Sequence, residues 1–114
     1  MAYDEDLAQA FRAKLDGMVG ISEKRMMGGI CFFLNGNMIG GADRTKSGEG
    51  RFMFRVGKDN DQIASQLPGG DAMFQGGRRM TGLYFVPEEA VTGDNLSDWF
   101  SLALSHAASL PEKT

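Results

Sequence analysis

The chain has 114 residues, 42% hydrophobic and 24% charged, with a formal net charge of -3; these values fit one compact domain and exclude wholesale disorder, collagen-like repetition and a disulfide-dense secreted scaffold. The lone Cys31 can form no intrachain disulfide, and no apolar run approaches the roughly 18 residues of a membrane span. The opening Met1-Ala2-Tyr3-Asp4-Glu5-Asp6 is acidic where a secretion signal is basic, so a cytoplasmic protein forming a single domain over residues 1–114 is expected.

From Asp4 to Asp16, Leu7, Ala10, Phe11 and Leu15, continued by Met18, recur at the three- and four-residue spacing of one helical stripe. Asp4 is the expected N-cap and Gly17 the C-cap, and the acids Asp4, Glu5 and Asp6 suit the positive end of the helix dipole. Glu23 to Met27 is a strand candidate leading into Gly28-Gly29. The period then changes. Ile30 to Leu34 is a short apolar run followed by Asn35-Gly36, the dipeptide suited to a type I′ turn, and the hairpin returns through Asn37 to Gly40. In Arg51 to Val56, Phe52, Phe54 and Val56 share one face while Arg51, Met53 and Arg55 share the other. Asp59 with Gln62 resembles a capping box for a helix from Asp61 to Leu67, stopped by Pro68-Gly69-Gly70. Thr81 to Val86 is a further strand, ended by Pro87. In the last helix Asp94 is the expected cap, Leu96, Trp99, Phe100, Ala103, Ala107 and Leu110 form one stripe, and Pro111 ends it. The order helix, strands, helix, strand, helix predicts an α+β domain, an antiparallel sheet of four to five strands packed by about three helices.

Few residues point to chemistry. His106, the only histidine, lies on the flank of the last helix with no sequence-local partner for general-base work, so no catalytic residue is assigned and His106→Gln is expected to be silent. Cys31 in its apolar strand reads as an inert small hydrophobe. One cysteine and one histidine fall short of a structural zinc site, so neither a metal nor a cofactor is expected. The 16 glycines, paired at 28–29, 40–41, 69–70 and 76–77, fit neither a Walker loop nor a dinucleotide fingerprint and read as turns and close backbone approaches.

Charge is segregated: residues 23–79 carry more basic than acidic side chains, while both flanks are acidic. Arg51 and Arg55 lie about 13 Å apart on one strand face, and Arg78-Arg79 occupy a glycine-rich loop. An isoelectric point near 5.0 argues against direct nucleic-acid binding. Met26, Met27, Met38, Met53, Met73 and Met80 also crowd this central region. Arginine and methionine are enriched at interfaces, so the face with Arg51, Met53 and Arg55, together with Arg78 and Arg79, is expected to dock a protein partner or a second copy of the chain.

Several stretches resemble the N-terminal domain of the TfoX/Sxy family of bacterial competence-gene regulators. The opening Met1 to Ala8 is similar to its usual start, and Lys24-Arg25-Met26-Met27-Gly28-Gly29 to its K-x-M-F-G-G signature, with Met27 in place of Phe. Phe33 to Met38, Arg55-Val56-Gly57, Gly77 to Gly82 with Val86, and Trp99 through Ala107 to Leu110-Pro111 follow the rest of its pattern. The resemblance implies a small α+β domain with a regulatory role, no assigned enzymatic chemistry, and a partner in the transcription machinery. Full-length regulators of the family carry a further C-terminal helical domain, so this chain is expected to correspond to the N-terminal domain alone. Two rival readings follow from the residues. One is a nucleic-acid contact through Arg51, Arg55, Arg78 and Arg79. The other is an enzyme with a cleft beside Gly28-Gly29 and Gly76-Gly77, where Arg78 would hold an anionic group.

Overall fold

A computed structural model describes residues 5–26, 29–45, 47–88 and 93–112. In chain order these form α1 (Glu5–Leu15), β1 (Ile21–Met26), β2 (Gly29–Leu34), β3 (Asn37–Arg44), β4 (Gly50–Arg55), α2 (Asp61–Ala64), β5 (Asp71–Gln75), β6 (Arg78–Pro87) and α3 (Gly93–Ser109). The strands make one six-stranded sheet in the order β1-β2-β3-β4-β6-β5, and every pairing is antiparallel. The α+β class expected from the sequence is the one observed, with one strand more than the upper expectation.

The extra strand is β5. It lies at the sheet edge, a register shift falls between Ala72 and Phe74, and Asp71, Phe74 and Gln75 are exposed, so no period-two signal marks it. The Gly76-Gly77 pair, at φ 60° and 79°, turns this hairpin into β6. The helix expected over Asp61 to Leu67 shortens to Asp61–Ala64. No capping box starts it: Asn60 precedes it, and the Asn60 amide is spent on the carbonyls of Val56 and Leu102, at 3.1 and 3.4 Å. The expected caps Asp4 and Asp94 have no described side chain, and Met27-Gly28 of the signature also lies outside the described residues. The Asn35-Gly36 turn forms as read, with φ of 51° and 83°.

Alternation sorts each strand into two faces. Ile30, Phe32 and Leu34 of β2, Ile39 and Ala42 of β3, Phe52 and Phe54 of β4, and Tyr84 and Val86 of β6 are buried on one of them. Onto this face α1 brings Leu7, Ala8, Phe11 and Leu15, and α3 brings Trp99, Phe100, Ala103 and Ala107. Phe11 is the hub: its ring stacks on Phe32 at 4.4 Å and on Phe54 at 5.8 Å, and meets Phe100 edge-on at 4.6 Å. Phe54 in turn contacts Trp99 and Phe100, so both long helices close on the same aromatic cluster. Polar ties fix the periphery. Arg12 pairs with Glu23 to hold α1 to β1, Asn37 Nδ2 donates to the Pro111 carbonyl at 2.9 Å, and Trp99 Nε1 donates to the Pro68 carbonyl at 3.2 Å.

Truncating the hub removes contacts with two strands and with α3 at once. Phe11→Ala is expected to cost about 3–5 kcal/mol, a large fraction of the roughly 5–15 kcal/mol of a domain of this kind. Urea denaturation followed by circular dichroism measures it.

Candidate functional site

Among the described residues, no helix packs on the other face of the sheet; the half-buried apolar side chains there stand outside the core cluster. The pairing registers place Lys24, Cys31, Gly41, Met53, Phe85 and Asp71 opposite one another in a single row across the six strands. The row is charged at its two edge strands and apolar between them. Phe33 and Met38 are paired on the same face. Strands β2 and β6 are thus apolar on both faces, a composition ordinarily found in sheets covered on both sides.

Gly41 interrupts the row. A Cβ at this position would run into the Ile30 carbonyl, so glycine permits the close approach of β2 and β3, and its missing side chain leaves a depression between Cys31 and Met53. A cavity of about 200 Å³ opens there, lined by Cys31, Gly41, Asp43, Arg51, Met53 and Phe85 among others.

Arg51 and Met53 therefore lie together on this face, but the guanidinium is not free. It forms a two-pronged pair with Asp43, Nε to Oδ1 at 2.7 Å and Nη2 to Oδ2 at 3.1 Å, and its Cζ lies 3.8 Å over the Phe85 ring. Asp43 sits directly across from Arg51 in the β3–β4 register. Burial, assisted by the Asp43 carboxylate, pushes the Cys31 thiol above its ordinary pKa.

The other sequence-expected residues are elsewhere. Arg55 shares the face of Arg51 by alternation but stands at the far end of β4, where it lines a second cavity of about 330 Å³ with Gly57, Lys58, Thr81, Leu83 and His106. Arg79 reaches α2 instead: its Nη2 donates to Asp61 Oδ1 at 2.9 Å and to the Tyr84 hydroxyl at 2.6 Å. Asp61 Oδ1 also accepts from the Gly82 amide at 2.8 Å and from the Tyr84 hydroxyl at 3.0 Å. Arg78 is exposed beside the Gly76-Gly77 turn, across from Gln75. The five expected partner-binding residues are thus dispersed over four places. Asp43 and Phe85 were not singled out from the sequence, and Met73 only as one of six central methionines, although the alternation of Leu83-Tyr84-Phe85-Val86 between two apolar faces carried the signal for Phe85.

A one-sided α+β domain with an apolar second sheet face is the class that the geometry defines. The model of the TfoX N-terminal domain family matches residues 13–107, and the chain belongs to that family. No curated protein and no solved structure matches it. No helix among the described residues is long and apolar enough to cross a membrane.

Two outcomes check this geometry. Because the raised pKa lowers the thiolate fraction, Cys31 is expected to react with iodoacetamide at neutral pH more slowly than a cysteine in an unstructured peptide; mass spectrometry follows the adduct. Burial opposes the charge of Asp61, but hydrogen bonds from Arg79, Gly82 and Tyr84 prevail and hold its carboxyl below the usual range. Asp61→Ala leaves the Gly82 amide and the Tyr84 hydroxyl without this acceptor and is expected to cost about 1–3 kcal/mol. A pKa lower in the folded than in the unfolded chain stabilises above the ordinary carboxylate value of about 4. The cost of Asp61→Ala should therefore be full at pH 7 and fade as acid protonates the wild-type carboxylate, as denaturant titrations at a series of pH values would register.

Proposed function

We propose that the chain is a non-enzymatic regulatory module of the competence-gene type, which acts by docking a protein of the transcription machinery on the helix-free face of its sheet. The observation that carries this reading is the apolar character of β2 and β6 on both faces, while the described helices cover one. The row through Cys31, Met53 and Phe85, together with Met73, offers adaptable thioethers and an aromatic ring to an apolar surface. Arg51 and Asp43 neutralise each other within it, so the complementary partner surface is apolar at its centre and need supply no net charge there. Family membership supports the regulatory role, and a thiol held protonated is in the wrong state for a nucleophile. The neutralised Arg51 and Arg79 also weigh against a phosphate-backbone contact, which would engage free cations.

The test combines a competence-promoter reporter with binding to purified RNA polymerase. Met53→Glu places an unpaired charge at the centre of the face and is expected to reduce both readouts by at least about tenfold, with Met53→Leu near wild type and an unchanged circular dichroism spectrum. Wild-type behaviour of Met53→Glu in both assays would refute the reading. A concentration-dependent dimer in sedimentation, abolished by Met53→Glu, would instead give the face to a second copy of the chain.

A further inference from the structure

The cavity at the end of β4 shares no lining residue with the depression around Gly41 and has a different chemistry. Its wall comes from four parts of the chain: Arg55 from β4, Gly57, Lys58 and Asp59 from the following loop, Thr81 from β6 and His106 from α3. Gly57, at φ 83°, lies against His106; a Cβ there would collide with the imidazole, so the ring is seated on the backbone of this turn.

Arg12, Arg44, Arg51 and Arg79 each approach a carboxylate. Arg55 is half-buried yet has no carboxylate partner among the described residues, and its charge acts on His106, itself a potential cation. A partly desolvated guanidinium beside an imidazole and a lysine, with a single carboxylate in the same wall, leaves the cavity with an excess of cationic groups that a bound anion would offset. Asp59, which lines the same cavity, offsets part of the charge but makes no ion pair with Arg55. The Val56 and Gly57 amides both donate to the Gly82 carbonyl and the Gly82 amide donates to Asp61, so these three amides are engaged within the fold.

We propose that this cavity binds the phosphate group of a small metabolite, with Arg55, Lys58 and His106 as its cationic and hydrogen-bonding partners and Thr81 as a hydroxyl donor. A guanidinium matches two phosphate oxygens at once, and a dianion matches two flanking cations better than a monocarboxylate does. At about 330 Å³ the cavity exceeds what one tetrahedral anion occupies, and Leu83 supplies an apolar wall for the remainder of the molecule.

The histidine provides the readout. Burial first, then the Arg55 charge, depress the His106 pKa, while Asp59 raises it. Lys58 is the other charged group at the cavity; Thr81 and Leu83 of β6 carry no charge. A bound dianion offsets Arg55 and Lys58, so it should raise the His106 pKa and bind more tightly once the ring is protonated. Sulfate keeps its charge across this range and isolates the histidine contribution.

The experiment follows the His106 ring resonances of the full chain by NMR, titrated with inorganic phosphate, sulfate or acetate. Saturable shifts with phosphate and sulfate, an upward move of the His106 pKa at saturation, and weaker acetate binding are expected. Arg55→Gln should weaken binding by about tenfold or more, Arg55→Lys much less, and Arg78→Ala not at all. Without ligand, Arg55→Gln should itself raise the His106 pKa, which shows that the variant is folded around the ring. Non-saturable shifts, equal response to acetate, or binding undiminished in Arg55→Gln would overturn the proposal.

Discussion

The stack of Phe11 between Phe32 and Phe54 is the contact on which the rest of the architecture depends. Through Phe100 and Trp99 the same cluster recruits α3, so the two long helices share one apolar anchor and must lie side by side on one face of the sheet. A domain of 114 residues has apolar surface enough for one core, and this one is built on a single side of the strands. The second face is left to whatever its own side chains can do.

What they do is only partly self-sufficient. Arg51 folds down onto Phe85 and pairs with Asp43, which covers one end of the face and removes its net charge. Around Gly41 nothing replaces the absent side chain, and Cys31, Met53 and Phe85 border an open depression. The Arg79–Asp61–Tyr84 network, by contrast, faces α2 and is structural: it joins a four-residue helix, too short to hold by itself, to the irregular stretch of β6 at Gly82. Arginines that look alike in the sequence thus have unlike tasks. Two are committed to carboxylates within the fold, and Arg55 at the far end of β4 remains without one among the described residues.

Much of this was legible from local pattern. Leu7, Phe11 and Leu15 of the first helical stripe, the Asn35-Gly36 turn, the alternation of Phe52 and Phe54 against Arg51 and Met53, and Trp99, Phe100, Ala103 and Ala107 of the last stripe all appear where the spacing put them, whereas Ala10 and Met18, read into the first stripe, are exposed and Ala8 is buried instead. Edge strand β5 was not legible, because a register shift and an exposed face erase the period-two signal. The length of α2 was misread at its C-terminal end: it begins at Asp61 as expected, but the amides of Gln66 and Leu67 donate to Ile63 and Ala64, three residues back, so the α-helical pattern stops at Ala64.

Composition and periodicity by themselves determined the class of the fold, the two long helices and the central strands, and which strand face is buried, because these follow from spacing along one segment. The tertiary structure alone decided that Asp43 meets Arg51, that Arg79 turns to α2, and that Arg55 and His106, 51 positions apart in the chain, border one cavity. Those pairings are set by strand register and by how helices close over a sheet. A charge in a sequence has a sign, but its partner is chosen by the fold.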